Sequence, residues 1–118
     1  MPNQSYAAPG ATDVVVAPAT RTTSADTGPL TGWGAIQTIR TQLAVTAVAG
    51  TTPSLAVVVE DSLDGGVTWW QLATFTPATA VGAQVINVAK PFTDRLRWRW
   101  TITGTGASFS FSVMTYTQ

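Results

Sequence analysis

Residues 93–103 read TDRLRWRWTIT, with Leu96, Trp98, Trp100 and Ile102 on one parity and Arg95, Arg97, Arg99, Thr101 and Thr103 on the other. A period of two marks a strand with one apolar face, because successive side chains leave a pleated backbone on opposite sides. No helix can sort these residues that way. After Gly104-Thr105-Gly106, Phe109, Phe111 and Val113 alternate with Ser110, Ser112 and Met114. The expectation is a turn at 104–106 and two long antiparallel strands closing the domain.

The rest of the chain follows the same period. Val14, Val15 and Val16 make a short β-branched run stopped by Pro18, and Thr20 to Ala25 reads as an edge strand or extended segment before the turn Asp26-Thr27-Gly28-Pro29. Over 35–48, Ile39, Leu43, Val45 and Ala47 oppose Arg40, Gln42 and Thr46, and no capping signal introduces a helix. Gly50 to Pro53 reads as another turn, followed by Leu55, Val57 and Val59; later, Val85, Ile86 and Val88 end at Lys90-Pro91. About seven or eight short strands at roughly ten-residue intervals predict an all-β, single antiparallel β-sandwich of jelly-roll or immunoglobulin-like topology. The predicted core is Trp69 or Trp70 with Leu96, Trp98, Trp100, Phe109 and Phe111. Residues 1–12, polar with Pro2, Pro9 and Gly10, are expected to form an extended N-terminal arm on a domain spanning 13–118.

Composition narrows the function. The 118 residues suffice for one domain, and only 10% are charged against 45% hydrophobic, with six basic and six acidic residues in balance. A zero balance offers neither nucleic acid nor an anionic membrane a general attraction, so neither is an expected partner. Such a sparsely charged surface is instead expected to be covered by another molecule. There is no histidine and no cysteine, which removes the commonest general base, disulfides and the commonest transition-metal ligands. No catalytic residue, cofactor or metal site is therefore assigned. The sequence shows no signal-peptide pattern and no apolar run near the roughly 20 residues that span a bilayer.

Between Val59 and Trp70 lies Ser62-Leu63-Asp64-Gly65-Gly66-Val67-Thr68-Trp69. Asp64 can fold back onto backbone N–H groups while Gly65 and Gly66 accept positive φ, so a tight hairpin is expected. The pattern resembles the Asp-box hairpin of sialidases and other β-propellers, and the S-x-D-G-x-x-W turn of many β-sandwich modules. In those families it is a folding element remote from the chemistry, which assigns Ser62, Asp64, Gly65, Gly66 and Trp69 a structural role. One domain is too short for a propeller.

Three further groups could carry function. Arg95, Arg97 and Arg99 line one strand face and could grip phosphate or carboxylates, or pair locally with Glu60, Asp61 or Asp94. Glu60, Asp61 and Asp64 cluster near the hairpin, where turn-making and ion pairing outweigh calcium binding or glycoside hydrolysis. Trp33, between Gly32 and Gly34, and one of Trp69 and Trp70 could form a sugar-stacking surface. Tyr6 in the arm, Trp33 and the arginines Arg95, Arg97 and Arg99 are the candidate partner-binding residues.

The Thr/Ala/Gly/Val bias, the S-L-D-G-G-V-T-W hairpin and the ending RLRWRWTITGTGASFSFSV look like small β-sandwich virion proteins of tailed bacteriophages, most like the capsid decoration or cement proteins. That resemblance implies a non-enzymatic role on the capsid exterior: binding the major capsid protein, bridging its subunits and assembling as a trimer or dimer, with a terminal arm as strap. The alternatives are a carbohydrate-binding or host-recognition module, or a tail or connector subunit.

Overall fold

Strand β3, Thr38–Asp61, is 24 residues long and would reach about 80 Å if straight, yet the longest dimension of the molecule is 42 Å. It must therefore bend back on itself. The computed structural model describes residues 10–118, in which β3 and the similarly long β6, Leu96–Thr117, run antiparallel along most of their lengths. Around them lie β1 (Thr12–Arg21), β2 (Ala25–Asp26), β4 (Trp70–Thr74) and β5 (Gly82–Ala89), giving one six-stranded antiparallel sheet.

Each long strand serves both halves of this folded sheet. In one half, β1 pairs with the C-terminal part of β6, which pairs with the N-terminal part of β3, which pairs with β5. In the other, β2, the N-terminal part of β6, the C-terminal part of β3 and β4 lie side by side. These are called the β5 half and the β4 half below.

The corner between them sits where β3 and β6 lose register, between Val45 and Ser54. Gly50 (φ 109°) and Gly104 (φ 116°) are required there: a Cβ on Gly50 would stand 2.7 Å from the Ala107 Cα, and one on Gly104 would stand 2.8 Å from the Thr52 carbonyl oxygen. This overturns two expected turns. Residues 50–53 and 104–106 do not end strands; each bends a strand that continues. Residues 96–103 and 109–113 accordingly pair with β3 and not with each other.

Folding the sheet brings its inner faces together. Leu96, Trp98, Trp100, Phe109 and Phe111 are all buried, with Ile39, Leu43, Val57 and Val59 from β3. Trp100 meets Phe111 edge-on at 5.6 Å, and the Trp98 indole N–H donates to Thr41 Oγ1 at 3.2 Å, each contact joining one half to the other. Where the chain crosses from β1 to β2, Arg21 lies over Trp100 and Phe111 and donates to the Ala17 and Phe111 carbonyls. No helix among the described residues is long and apolar enough to cross a membrane.

The first described residues are tied to the end of the chain. Gly10 donates to the Thr117 carbonyl, Thr117 N–H donates to Ala11, and β1 already begins at Thr12. Tyr6, a candidate partner-binding residue, lies outside the described residues.

Candidate functional site

The hairpin between β3 and β4 is closed by one carboxylate and one hydroxyl. Ser62 Oγ donates to Asp64 Oδ1 at 2.8 Å and accepts the Gly66 N–H at 2.8 Å. Asp64 Oδ1 also accepts the N–H groups of Thr68 at 2.8 Å and Val67 at 3.2 Å. Gly65 (φ 77°) and Gly66 (φ 102°) supply the positive φ angles. The Thr68 backbone N–H, then the Thr68 and Ser62 hydroxyls, hold the Asp64 carboxyl well below its ordinary value, at about 2. Trp69, half-buried, donates its indole N–H to the Gly66 carbonyl and lies beneath the Arg97 guanidinium at 4.4 Å. Ser62 Oγ, Asp64 Oδ1 and the Trp69 indole N–H thus all serve to hold the turn.

Two arginines of the row, Arg97 and Arg99, are likewise engaged by the chain's own acids. Arg97 meets Glu60 at 2.7 Å and Asp26 at 3.4 Å, and Arg99 meets Glu60 at 3.2 Å. Burial pushes the Glu60 carboxyl up, but the Arg99 and Arg97 guanidinium groups outweigh it and leave it below the usual carboxylate value. The ladder explains the geometry, since Glu60 stands opposite Arg97, and Val58 stands opposite Arg99 with Asp26 on its far side. Arg95, beyond this face and exposed, has no ion pair among the described residues.

Other expected site residues are separated. Trp33 is fully buried in a short 3₁₀ turn, Trp33–Ala35, and packs against Trp98 at 5.5 Å, so it offers no exposed face to a partner or a sugar. The three carboxylates near the hairpin point apart: Glu60 to the arginines, Asp64 into its turn, and Asp61 to the Thr93 N–H at 3.0 Å. No group of three or more potential metal ligands occurs among the described residues.

Two surfaces remain that the fold leaves open. The first is a recess of about 320 Å³ beside the hairpin, walled by Leu63, Trp70, Leu72 and Phe92, with Asp61, Gln71 and Thr93 as its polar groups. Trp70 is 59% exposed there, whereas Asp61 is buried and its Oδ1 has no hydrogen-bond partner among the described residues. The second is the outer face of the β5 half. Two rows cross it, Thr12–Tyr116–Arg40–Asn87 and Val14–Met114–Gln42–Val85. Val14, Val85, Met114 and Tyr116 are exposed, and Arg40, hydrogen-bonded to Asn87, is the sole charge in either row.

Sequence reasoning missed this second surface. Val14 and Met114 are far apart in the chain, and only the register of β1 on β6 places them side by side. No protein-family model matches this chain, and no curated protein matches it.

Proposed function

We propose that this chain is a structural binding module of a virion, most like a capsid decoration protein, which attaches to the major capsid protein and steadies the shell. The observation that carries the reading is the outer face of the β5 half, where four exposed apolar side chains cross the sheet with one charge among them. A broad, nearly uncharged face supports attachment to a protein surface, because apolar burial drives such contacts and few charges need to be stripped of water. Attachment then stabilises both partners by mass action.

The test is co-sedimentation with capsids of the source virus lacking this chain. The wild-type protein is expected to pellet with the shells at a copy number comparable to that of the major capsid protein, and Met114→Asp is expected to stay in the supernatant. Equal retention of the two proteins would remove this face from the attachment; failure of both to bind would remove the capsid reading.

The Trp70 recess favours a second reading, carbohydrate binding. An exposed indole suits the C–H face of a sugar ring, and the free Asp61 oxygen with Gln71 and Thr93 supplies partners for hydroxyl groups. Titration with glucose, galactose, mannose and N-acetylglucosamine should then change tryptophan fluorescence in the wild type and not in Trp70→Ala. An unchanged wild-type spectrum with all four would eliminate it.

A further inference from the structure

A sheet with open edges exposes unpaired backbone N–H and C=O groups, and natural proteins usually blunt such edges with bulges, charge, proline or brevity. Three of the four edge strands here are blunted. β1 breaks register twice against β6 and carries Asp13, Pro18 and Arg21. β2 has two residues, one of them Asp26. β4 has five residues and a register shift opposite Val59 and Glu60.

The fourth, β5, has none of these features. Its eight residues, GAQVINVA, contain no charge and no proline, and its register on β3 is unbroken from Thr38 opposite Ala89 to Val45 opposite Gly82. Among the described residues β3 is its only strand partner. Val85, 44% exposed, ends the uncharged row that starts at Val14.

We infer that β5 is a docking edge and that its occupant is β5 of a second copy, paired antiparallel across a two-fold axis. The edge carries no charge with which to select a foreign strand, whereas a second copy matches it group for group under two-fold symmetry. The pleat restricts the register. Residues facing each other across antiparallel strands lie on the same side of the sheet, so in a self-pair their numbers must add to an even value. Placing Val85 opposite the partner's Val85 continues the row Val14–Met114–Gln42–Val85 directly into its symmetry mate. The dimer then presents one continuous outer face, two β5 halves wide, suited to bridging neighbouring subunits of a lattice. The inference stands without the virion reading.

The chain has no cysteine, so a single introduced thiol reports the contact cleanly. Under mild oxidation Val85→Cys is expected to form a disulfide-linked dimer, because facing Cβ atoms in an antiparallel pair come within bridging range. Val14→Cys, on the blunted edge, is expected to remain largely monomeric. In sedimentation equilibrium the wild type should dimerise reversibly, and Val85→Lys, which sets two like charges face to face, should weaken that equilibrium by roughly 10-fold. A wild type that stays monomeric at every concentration would overturn the inference, as would equal cross-linking of the two cysteine variants or an unchanged equilibrium in Val85→Lys. Because the assay uses only the isolated protein, its failure leaves capsid attachment to be judged separately.

Discussion

The outer faces of the two halves are built from the same pair of long strands and finished in opposite ways. On the β4 half, β6 presents Arg97 and Arg99, β3 presents Glu60 and β2 presents Asp26, and these groups close on one another. On the β5 half the same two strands present Met114, Tyr116, Arg40 and Gln42, flanked by Val14 and Val85. The contrast separates two kinds of surface that a linear sequence presents alike. A row of charges can be an internal fastening, consumed by the fold, while scattered Val, Met and Tyr side chains are gathered by register into an exposed face. Arg97, Arg99, Glu60 and Asp26 are engaged with one another, whereas Val14, Val85, Met114 and Tyr116 stay exposed.

The largest effect is expected where the two halves meet, since the contrast depends on their staying folded together. Trp98 is fully buried on the β4 half, packs on Trp33, and donates to Thr41 of the β5 half. Trp98→Ala should lower the unfolding free energy by about 3–5 kcal/mol, through lost burial and the cavity left behind. Urea unfolding measures it directly. A loss below about 1 kcal/mol would mean that the halves are held by something other than this contact.

That core was legible from the chain because Leu96, Trp98, Trp100, Phe109 and Phe111 sit at a spacing of two within each segment. Parity changes between the segments, even in the first and odd in the second, and the corner at 104–106 absorbs the change. What the sequence could not reveal was that this corner is no hairpin. Gly104-Thr105-Gly106 has the composition of a turn; only its close approach to Thr52 and Pro53 makes it a bend in a continuing strand. Trp33 misled for a related reason. It stood outside the alternating pattern that put Trp98 and Trp100 inside and so remained a candidate for exposure, but the ring packs on Trp98 in the interior, a contact set by tertiary packing alone. The Ser62–Trp69 hairpin was readable because its hydrogen bonds are local, whereas the β5 edge and the two rows across the outer face exist only once register is known.

The two outer faces can next be compared directly. Glu60→Gln removes the carboxylate shared by Arg97 and Arg99 and should cost about 1–2 kcal/mol, because hydrogen bonds to charged groups exceed neutral ones while the partly exposed arginines remain hydrated. Met114→Gln, on the apolar face, should change stability by no more than about 0.5 kcal/mol. Both are read from the same urea titration. If Met114→Gln proved the more damaging, the face now read as open would instead be part of what holds the monomer together.

The smallest effect concerns the turn at the end of the charged half and is visible only through pH. Asp64 has its carboxyl lowered from an ordinary 3.8 to about 2 by the hydrogen bonds it accepts. A group whose folded value is depressed contributes stability in full above the unfolded value, and that contribution fades as pH falls through the folded one. Between about 3.8 and 2, wild-type stability should therefore decline partly on account of Asp64. Asp64→Asn loses that titration, so the gap between the two proteins should narrow as pH drops across this window. Glu60, also lowered, declines in both proteins and cancels from the difference. A gap that stays constant down to about pH 2 would show that the Asp64 hydrogen bonds do not depend on its charge, leaving the glycine conformations and the Ser62 hydroxyl to close the turn.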